Sequence, residues 1–202
     1  MSPRSRRSNP LALAVLACVL ERPMHPYEMA ATMRERVKHE SIKLNYGSLY
    51  GVVEALARDG LIEPQETVRA GRRPERTIYA PTEAGRAEFA DWLTELLRTP
   101  VKEYPQFEAG LSLMPGLPPP RVAELLRERC ALLERELADR RAALAGEAAQ
   151  GLPRLFLVEA EYHVAQRETE LRFTRELARA IADETLDGIE RWKAYHPTHA
   201  KS

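Results

Sequence analysis

The stretch from Asn45 to Glu83 constrains the fold more than any other part of this 202-residue chain. It opens with a short amphipathic pattern that ends at Asp59-Gly60, and glycine suits the left-handed conformation found at many helix ends. Two strand-like runs follow, Leu61–Val68 and Thr77–Pro81, and the loop between them carries four arginines in eight residues. Helix, strand, basic loop and strand in this order predict a winged helix-turn-helix.

Helical patterns flank this stretch on both sides. Asn9 and Pro10 provide a cap and a first helical residue, and Pro26 opens a second helix in the same way. Thr82 is the expected cap of the helix that follows the strands. The predicted N-terminal helices span about residues 10–21, 26–38, 46–59 and 83–98.

Polar side chains at the start of the third helix and on the loop are the candidate nucleic-acid contacts. Guanidinium groups clustered on a hairpin tip suit phosphates, and hydroxyls at a helix N-terminus suit phosphates or base edges. The alternatives are a solvated, flexible loop and, for Tyr50, a place in the core. The predicted DNA-binding residues are Lys43, Tyr46, Ser48, Tyr50, Arg69, Arg72, Arg73 and Arg76.

The distribution of charge supports this prediction weakly. The whole chain has a formal net charge of zero. Residues 1–82 carry 13 Lys and Arg against 9 Asp and Glu, whereas residues 83–202 carry 17 against 21. A basic first part and an acidic second part are typical of a nucleic-acid-binding head on a body that does not bind nucleic acid.

The second half of the chain is predicted to be a separate helical domain. Prolines are dense between Thr99 and Pro120 and predict a boundary, with one possible short helix at 106–114. Two long amphipathic helices follow, at about 119–146 and 153–187, and the residues from 193 onward look frayed. Two such helices cannot bury both of their apolar stripes alone, so a partner chain is expected.

The predicted fold is therefore mainly α, with an N-terminal winged helix-turn-helix, a two-stranded wing and a C-terminal long-helix dimerisation domain. Its predicted parts are a DNA-binding domain at 1–98, a proline-rich linker at 99–118 and a dimerisation domain at 119–192.

Aromatic residues near the predicted boundary are candidates for an effector pocket, although ordinary core packing is the alternative for most of them. No residue among them identifies a ligand. The predicted effector-pocket residues are Trp92, Tyr104, Phe107 and Tyr162.

Other function classes find no support in the sequence. No nucleophile elbow, P-loop, dinucleotide fingerprint or zinc-protease motif occurs, so neither catalysis nor a cofactor is expected. The histidines lack metal-ligand spacing outside the last residues, and Cys18 and Cys130 are expected to be buried apolar side chains. Because no segment is long and apolar enough for a bilayer, the sequence predicts a cytoplasmic protein.

Five short motifs in order resemble the PadR family of bacterial transcriptional regulators. They lie within residues 10–97, and the C-terminal half resembles the larger subtype of that family without carrying a sharp motif. Ser48 stands where the family more often has threonine. The motifs are Pro26-Tyr27-Glu28-Met29-Ala30, Tyr46-Gly47-Ser48-Leu49-Tyr50, Leu56-Ala57-Arg58-Asp59-Gly60-Leu61-Ile62, Gly71-Arg72-Arg73-Pro74-Glu75-Arg76-Thr77-Ile78-Tyr79 and Thr82-Glu83-Ala84-Gly85.

This resemblance implies a homodimeric repressor that binds a palindromic operator in double-stranded DNA and is released by a small aromatic or hydrophobic effector. The dimer is expected to form through the C-terminal helices and the first helix. One rival is a winged-helix adaptor that binds proteins and not specific DNA. A second rival, an enzymatic or small-molecule-binding dimer, would need a convergent polar site that the sequence does not show.

Overall fold

A computed structural model describes residues 9–36, 41–42, 45–68 and 76–196. The chain divides into two compact units, Met1–Lys102 and Glu103–Ser202. The point of division lies within the stretch that the sequence predicts to be the linker.

The N-terminal unit contains four helices and two strands among its described residues. The helices and strands agree with the predicted ones to within a residue, except that the second helix ends at Glu35. The elements are α1 (Pro10–Glu21), α2 (Pro26–Glu35), α3 (Tyr46–Arg58), β1 (Ile62–Val68), β2 (Arg76–Pro81) and α4 (Glu83–Arg98).

Local capping explains where α1 and α2 begin. The Asn9 side chain accepts a hydrogen bond from the N–H of Leu11 at 3.2 Å. His25 caps α2: its Nδ1 accepts from the N–H of Tyr27 at 3.1 Å, and its own N–H donates to the Glu28 carboxylate at 3.2 Å. These bonds satisfy N–H groups that have no partner inside the helix.

Helix α1 is the centre of the N-terminal core because apolar side chains cover nearly all of its surface. Val15 and Leu16 are fully buried, and Val19 is almost so. Leu49 from α3 and Trp92 from α4 join the same apolar cluster. Burying one such large side chain contributes about 1.5–3 kcal/mol, so this cluster holds the helices of the unit together.

The two strands form an antiparallel pair that a third segment extends. Ile62 faces Pro81 at the base of the hairpin, and the pairing is irregular between Pro64 and Glu66. On the other side of β2, Met24 and Tyr79 exchange two backbone hydrogen bonds of 3.0 Å each. The turn between α1 and α2 is thereby attached to the wing.

The base of the wing is also bonded to α4. The Thr82 hydroxyl donates to the carbonyl oxygen of Gly60 at 2.7 Å and accepts from the N–H of Gly85 at 3.1 Å. Gly60, which follows α3, has a φ of 71°, a conformation that glycine adopts at little cost. One threonine therefore joins the end of α3 to the start of α4.

The C-terminal unit is a long helical hairpin with shorter helices around it. Its elements are α5 (Gln106–Leu113), a 3₁₀ turn (Met114–Gly116), α6 (Pro119–Ala149), a second 3₁₀ turn (Arg154–Phe156), α7 (Val158–Ala182) and α8 (Ile189–Tyr195). The prediction of one continuous helix over 153–187 was wrong at both ends. The prediction that residues 193–202 are frayed was wrong for residues 193–195, which belong to α8, and residues 197–202 lie outside the described part of the chain. Trp192 explains the second error: its side chain is buried, and its indole N–H donates to the carbonyl oxygen of Leu117 at 2.9 Å.

Ion pairs join α6 to α7 along the hairpin. The Glu170 carboxylate accepts from Arg129 on α6 and from Arg167 one turn away on its own helix, at 2.8 and 2.7 Å. Arg167 also donates to Glu136 on α6 at 3.2 Å. The guanidinium of Arg129 lies 3.8 Å from the ring centre of Phe107, so the same network holds α5.

Candidate nucleic-acid interface

Helix α3 has one buried face and one open face. Leu49, Val53 and Leu56 point into the core, each about 1% exposed or less. The residues on the opposite side recur at the spacing of a helical stripe and are all exposed. This stripe, called the α3 outer face below, consists of Gly47, Ser48, Tyr50, Gly51, Glu54 and Arg58.

Among the described residues, nothing packs closely enough on the α3 outer face to require its two glycines. A Cβ atom built on Gly51 would meet no described atom within 4 Å, and one on Gly47 would meet only the Asn45 side chain, at 3.6 Å. Neither residue has the positive φ that glycine favours. Glycine inside a helix costs up to about 1 kcal/mol relative to alanine. What these glycines provide is a surface on which another molecule can approach the helix backbone closely.

The start of α3 has the polarity that suits an anion. Asn45 caps the helix by accepting from the N–H of Gly47 at 2.9 Å. The remaining N–H groups of the first turn and the positive end of the helix dipole point the same way. Ser48 is exposed and Tyr50 is 43% exposed, so both predicted residues present their side chains on the outer face.

The other predicted DNA-binding side chains are not described. Tyr46 is the first residue of α3 and Arg76 the first of β2, but the side chains of both lie outside the described part of the structure. Lys43, Arg69, Arg72 and Arg73 lie wholly outside the described residues. The predicted DNA contacts of these six residues stay predictions.

Sequence reasoning missed two members of the α3 outer face. Glu54 and Arg58 are exposed at seven and eleven residues after Gly47. That spacing, already visible in the sequence, would have found them. A glutamate there can accept from a cytosine amino group, and an arginine at the far end can reach a phosphate.

An ion pair fixes the ends of the helices that lead to this face. Arg36, just after α2, donates two hydrogen bonds to the Glu21 carboxylate at the end of α1, the one from Nη2 to Oε2 being 2.8 Å long. These bonds hold the pKa of Glu21 below its usual value. The pair joins α1 to α2 next to the connection that leads into α3.

The four predicted effector-pocket residues lie in different surroundings. Trp92 is 1% exposed in the N-terminal core, whereas Tyr104 and Tyr162 of the C-terminal unit are 84% and 62% exposed. Phe107 is half-buried beneath Arg129. A shared pocket for these four stays a prediction.

Two further features are absent from the described residues. No group of three or more His, Cys, Asp or Glu side chains is arranged there to hold a metal ion. Within the same parts of the chain, no helix combines the length and the apolar character that crossing a membrane requires.

Three packed helices, a hairpin attached behind the third helix and an open outer face on that helix define a winged helix-turn-helix protein. Residues 15–91 match the Transcriptional regulator PadR-like family. The chain therefore carries a PadR-like transcriptional regulator domain. A search of the curated proteins finds no match.

Solved structures with the same fold extend the likeness beyond that domain. Bacillus subtilis PadR in complex with operator DNA is 17% identical, with a TM-score of 0.66 over 85% of this chain and 97% of that one. The same regulator in complex with p-coumaric acid is 14% identical, with a TM-score of 0.65 over 85% and 95%. The Vibrio cholerae virulence activator AphA is 15% identical, with a TM-score of 0.64 over 86% and 99%. At these identities the likeness establishes the fold, including the long C-terminal helices.

Proposed function

We propose that this protein is a sequence-specific DNA-binding regulator that acts as a repressor at a palindromic operator. The α3 outer face carries the proposal: it is polar, it is open, and it contains two glycines for which the described residues supply no packing reason. The PadR-like domain supports the same reading. Bacillus subtilis PadR was solved on operator DNA, which makes DNA the partner of first choice.

In this proposal helix α3 contacts the bases, and the basic residues around it contact the DNA backbone. Helix α3 enters a major groove, where Ser48, Tyr50 and Glu54 are within reach of base edges. Arg69, Arg72, Arg73, Arg76 and Lys43 contact phosphates around it. Phosphate contacts supply affinity and orientation, and base contacts supply selectivity.

A homodimer presents two such heads. Several large apolar side chains of the C-terminal unit are left exposed in the single chain, among them Leu155 (78%), Phe156 (65%) and Leu132 (60%). Leu132 lies on α6, and Leu155 and Phe156 lie in the 3₁₀ turn before α7. Exposed apolar surface of this kind is what a second copy covers. The apolar residues of α1 are mostly buried in their own unit, so the C-terminal helices provide the larger part of this interface.

Repression is relieved by a small-molecule effector in this proposal. One structural neighbour was solved with p-coumaric acid, which supports a small-molecule effector. Another neighbour is named an activator, so activation of transcription is the second possible outcome of DNA binding. The family and the neighbours are transcriptional regulators, which supports a role without catalysis for this chain. A regulator of this kind works where the bacterial chromosome is, in the cytoplasm.

The test is binding to the DNA upstream of the protein's own gene, measured by mobility shift and anisotropy at several salt concentrations. We expect selective binding of two heads per site and a steep loss of affinity with salt. Arg72→Ala/Arg73→Ala should flatten the slope of log affinity against log salt by about 3.6, since each lost phosphate contact removes about 0.9 and each dimer loses four. Arg135→Ala/Arg172→Ala removes the same charge from exposed positions of the C-terminal unit and should leave the slope unchanged.

The adaptor alternative predicts a different result. Weak binding that is indifferent to sequence, with equal slopes for both double variants, would exclude the specific regulator. Attention would then turn to the C-terminal helices as a surface for protein partners.

A further inference from the structure

The C-terminal unit contains an open pocket of about 840 Å³. It lies where α6 begins, α7 ends and α8 packs against both. Pro119, Ala123 and Ile181 give it an apolar wall. Pockets of this size, largely apolar with a few polar groups, are typical of small-molecule sites.

Arg127 is an exposed arginine that brings a positive charge to the rim of this pocket. It lines the pocket from α6, and among the described residues it has no ion pair and no hydrogen bond. Its neighbours along α6 are paired: Arg121 bonds to Glu124 at 2.6 Å, and Arg129 bonds to Glu170. An unpaired guanidinium beside an apolar wall suits an anion attached to an apolar body.

Helix α8 forms the other wall and is held by polar contacts. Lys193 pairs with Glu184 at 2.5 Å and with Glu190 at 3.0 Å, so two carboxylates more than offset its single positive charge. Trp192 donates to the carbonyl oxygen of Leu117, and Nε2 of His196 lies 2.7 Å from the carbonyl oxygen of Pro115. The pocket therefore adjoins the stretch of chain that leads into α6.

The backbone at this wall is strained at one residue. Glu184, which lines the pocket and follows α7, has a φ of 57° without being glycine. Such a conformation costs of order 1 kcal/mol in a residue other than glycine. It belongs to the cap that ends α7, where the N–H groups of Glu184 and Thr185 donate to the carbonyl oxygens of Ile181 and Ala180 at 3.3 and 2.9 Å.

We propose that this pocket binds an amphipathic organic anion, whose carboxylate pairs with Arg127 while its apolar body packs against Pro119, Ala123 and Ile181. The proposal deepens the proposed function by assigning the effector a site and a charge, and it rests on that function only for the regulatory meaning of binding. The residues named here differ from the four aromatic residues that the sequence suggests.

The experiment is calorimetric titration of the full chain, without DNA, with 2-naphthoate and with 2-naphthamide. The two probes share one ring system, and only the first is charged. We expect 2-naphthoate to bind at one site per chain and the amide at least about ten-fold more weakly, as a charged hydrogen bond requires. Arg127→Gln should remove that difference. Arg172→Gln, which removes an exposed arginine of α7 that does not line the pocket, should preserve it.

Three outcomes would overturn the proposal. They are equal binding of the two probes, unchanged affinity in Arg127→Gln, and no binding of 2-naphthoate to folded protein. DNA binding is measured in a separate titration. If the protein binds 2-naphthoate but no operator, the proposed binding site is supported and the proposed regulatory function is contradicted. If it binds an operator but not 2-naphthoate, the regulatory function is supported and the binding site is contradicted.

Discussion

A side chain at Gly85 would collide with the backbone of Leu61: a Cβ atom built on Gly85 lies 1.9 Å from the carbonyl oxygen of Leu61. The Leu61 carbonyl oxygen also accepts a hydrogen bond from the N–H of Thr82 at 3.1 Å, so it cannot easily turn away. The first turn of α4 and the base of the wing are therefore in backbone contact. This contact is the physical reason for glycine in the sequence Thr82-Glu83-Ala84-Gly85.

Gly85→Ala should destabilise the N-terminal unit by about 2–3 kcal/mol, because a backbone shift is needed to admit the methyl group. The measurement is guanidinium unfolding followed by Trp92 fluorescence in a Trp192→Phe background, since these are the two tryptophans of the chain. Gly110→Ala is the matched control, because a Cβ there meets no described atom within 4 Å. Equal stability of both variants would contradict the close approach.

Gly51→Ala should have opposite effects on stability and on DNA binding. An alanine at this exposed helical position should stabilise α3 by up to about 1 kcal/mol. The same methyl group would hold the helix backbone away from a groove, and operator affinity should fall by about ten-fold or more. Thermal unfolding and anisotropy on one protein sample measure both.

The control for this prediction is again Gly110→Ala, which should gain helix stability and keep full operator affinity. If Gly51→Ala binds DNA as tightly as the parent protein, the α3 outer face does not approach the groove closely. The two glycines would then be left without a functional reason.

The helical hairpin should lose stability in acid in part through Glu136. Burial by itself raises the pKa of this carboxyl, but bonds and charges from Arg140 and Arg167 outweigh it, and the net pKa lies below the ordinary value of 4.5. A carboxylate with a lowered folded pKa stabilises the fold above the unfolded pKa and loses that contribution as pH falls through the folded one. The loss therefore begins as the pH falls below about 4.5.

Glu136→Gln removes this contribution and is the direct comparison. The free energy of unfolding is measured by circular dichroism from pH 7 down to about pH 3.5. We expect the variant to be less stable than the parent protein at pH 7, and the difference in free energy between them to become smaller as the pH falls. Glu21 and Glu161 also have lowered pKa values, so both proteins become less stable in acid. Only the difference in their free energies of unfolding reports on Glu136. If that difference were constant with pH, it would argue against the pairing of Glu136 with Arg140 and Arg167.

Neither cysteine should react readily in the folded protein. Burial raises the pKa of Cys18 to about 11 and also raises that of Cys130. Thiolate is the reactive form, so about one thiol in a thousand is ionised at Cys18 near pH 8. A thiol-reactive chromogen should label both cysteines at once in denaturant and neither within minutes in buffer. Rapid labelling of native protein would mean that one of the two helices opens easily.

The N-terminal unit could be predicted from the sequence because its signals are local. Asn9, Gly60 and Thr82 begin or end helices through bonds to near neighbours, and those residue types act in the same way in most proteins. The outward position of Ser48 follows from helical spacing alone. The motif Gly47-Ser48-Leu49-Tyr50 thus predicts both a helix and its outer face.

The errors at helix α8 and at Arg127 concern contacts between distant parts of the chain, whereas the missed cap at His25 and the missed exposure of Glu54 and Arg58 are local. Helix α8 depends on Trp192, whose partner Leu117 lies 75 residues earlier, and no local pattern reports such a bond. The cap provided by His25 was missed because histidine is not a usual capping residue. Arg127 looked like any other charge on α6, and only the folded neighbourhood shows that it faces a pocket without a partner.

The bonds between Met24 and Tyr79 determine what the outer edge of the wing can do. Tyr79 uses both its N–H and its C=O toward Met24, so its neighbour on β1, Pro64, turns its own backbone groups away from β2. A strand that added to this edge would need a backbone N–H donor at position 64, and proline has no N–H. The pairing irregularity beside Pro64 bends the same edge. The wing is therefore protected against pairing edge to edge with the wing of another molecule, even where two heads are held close together on one DNA site.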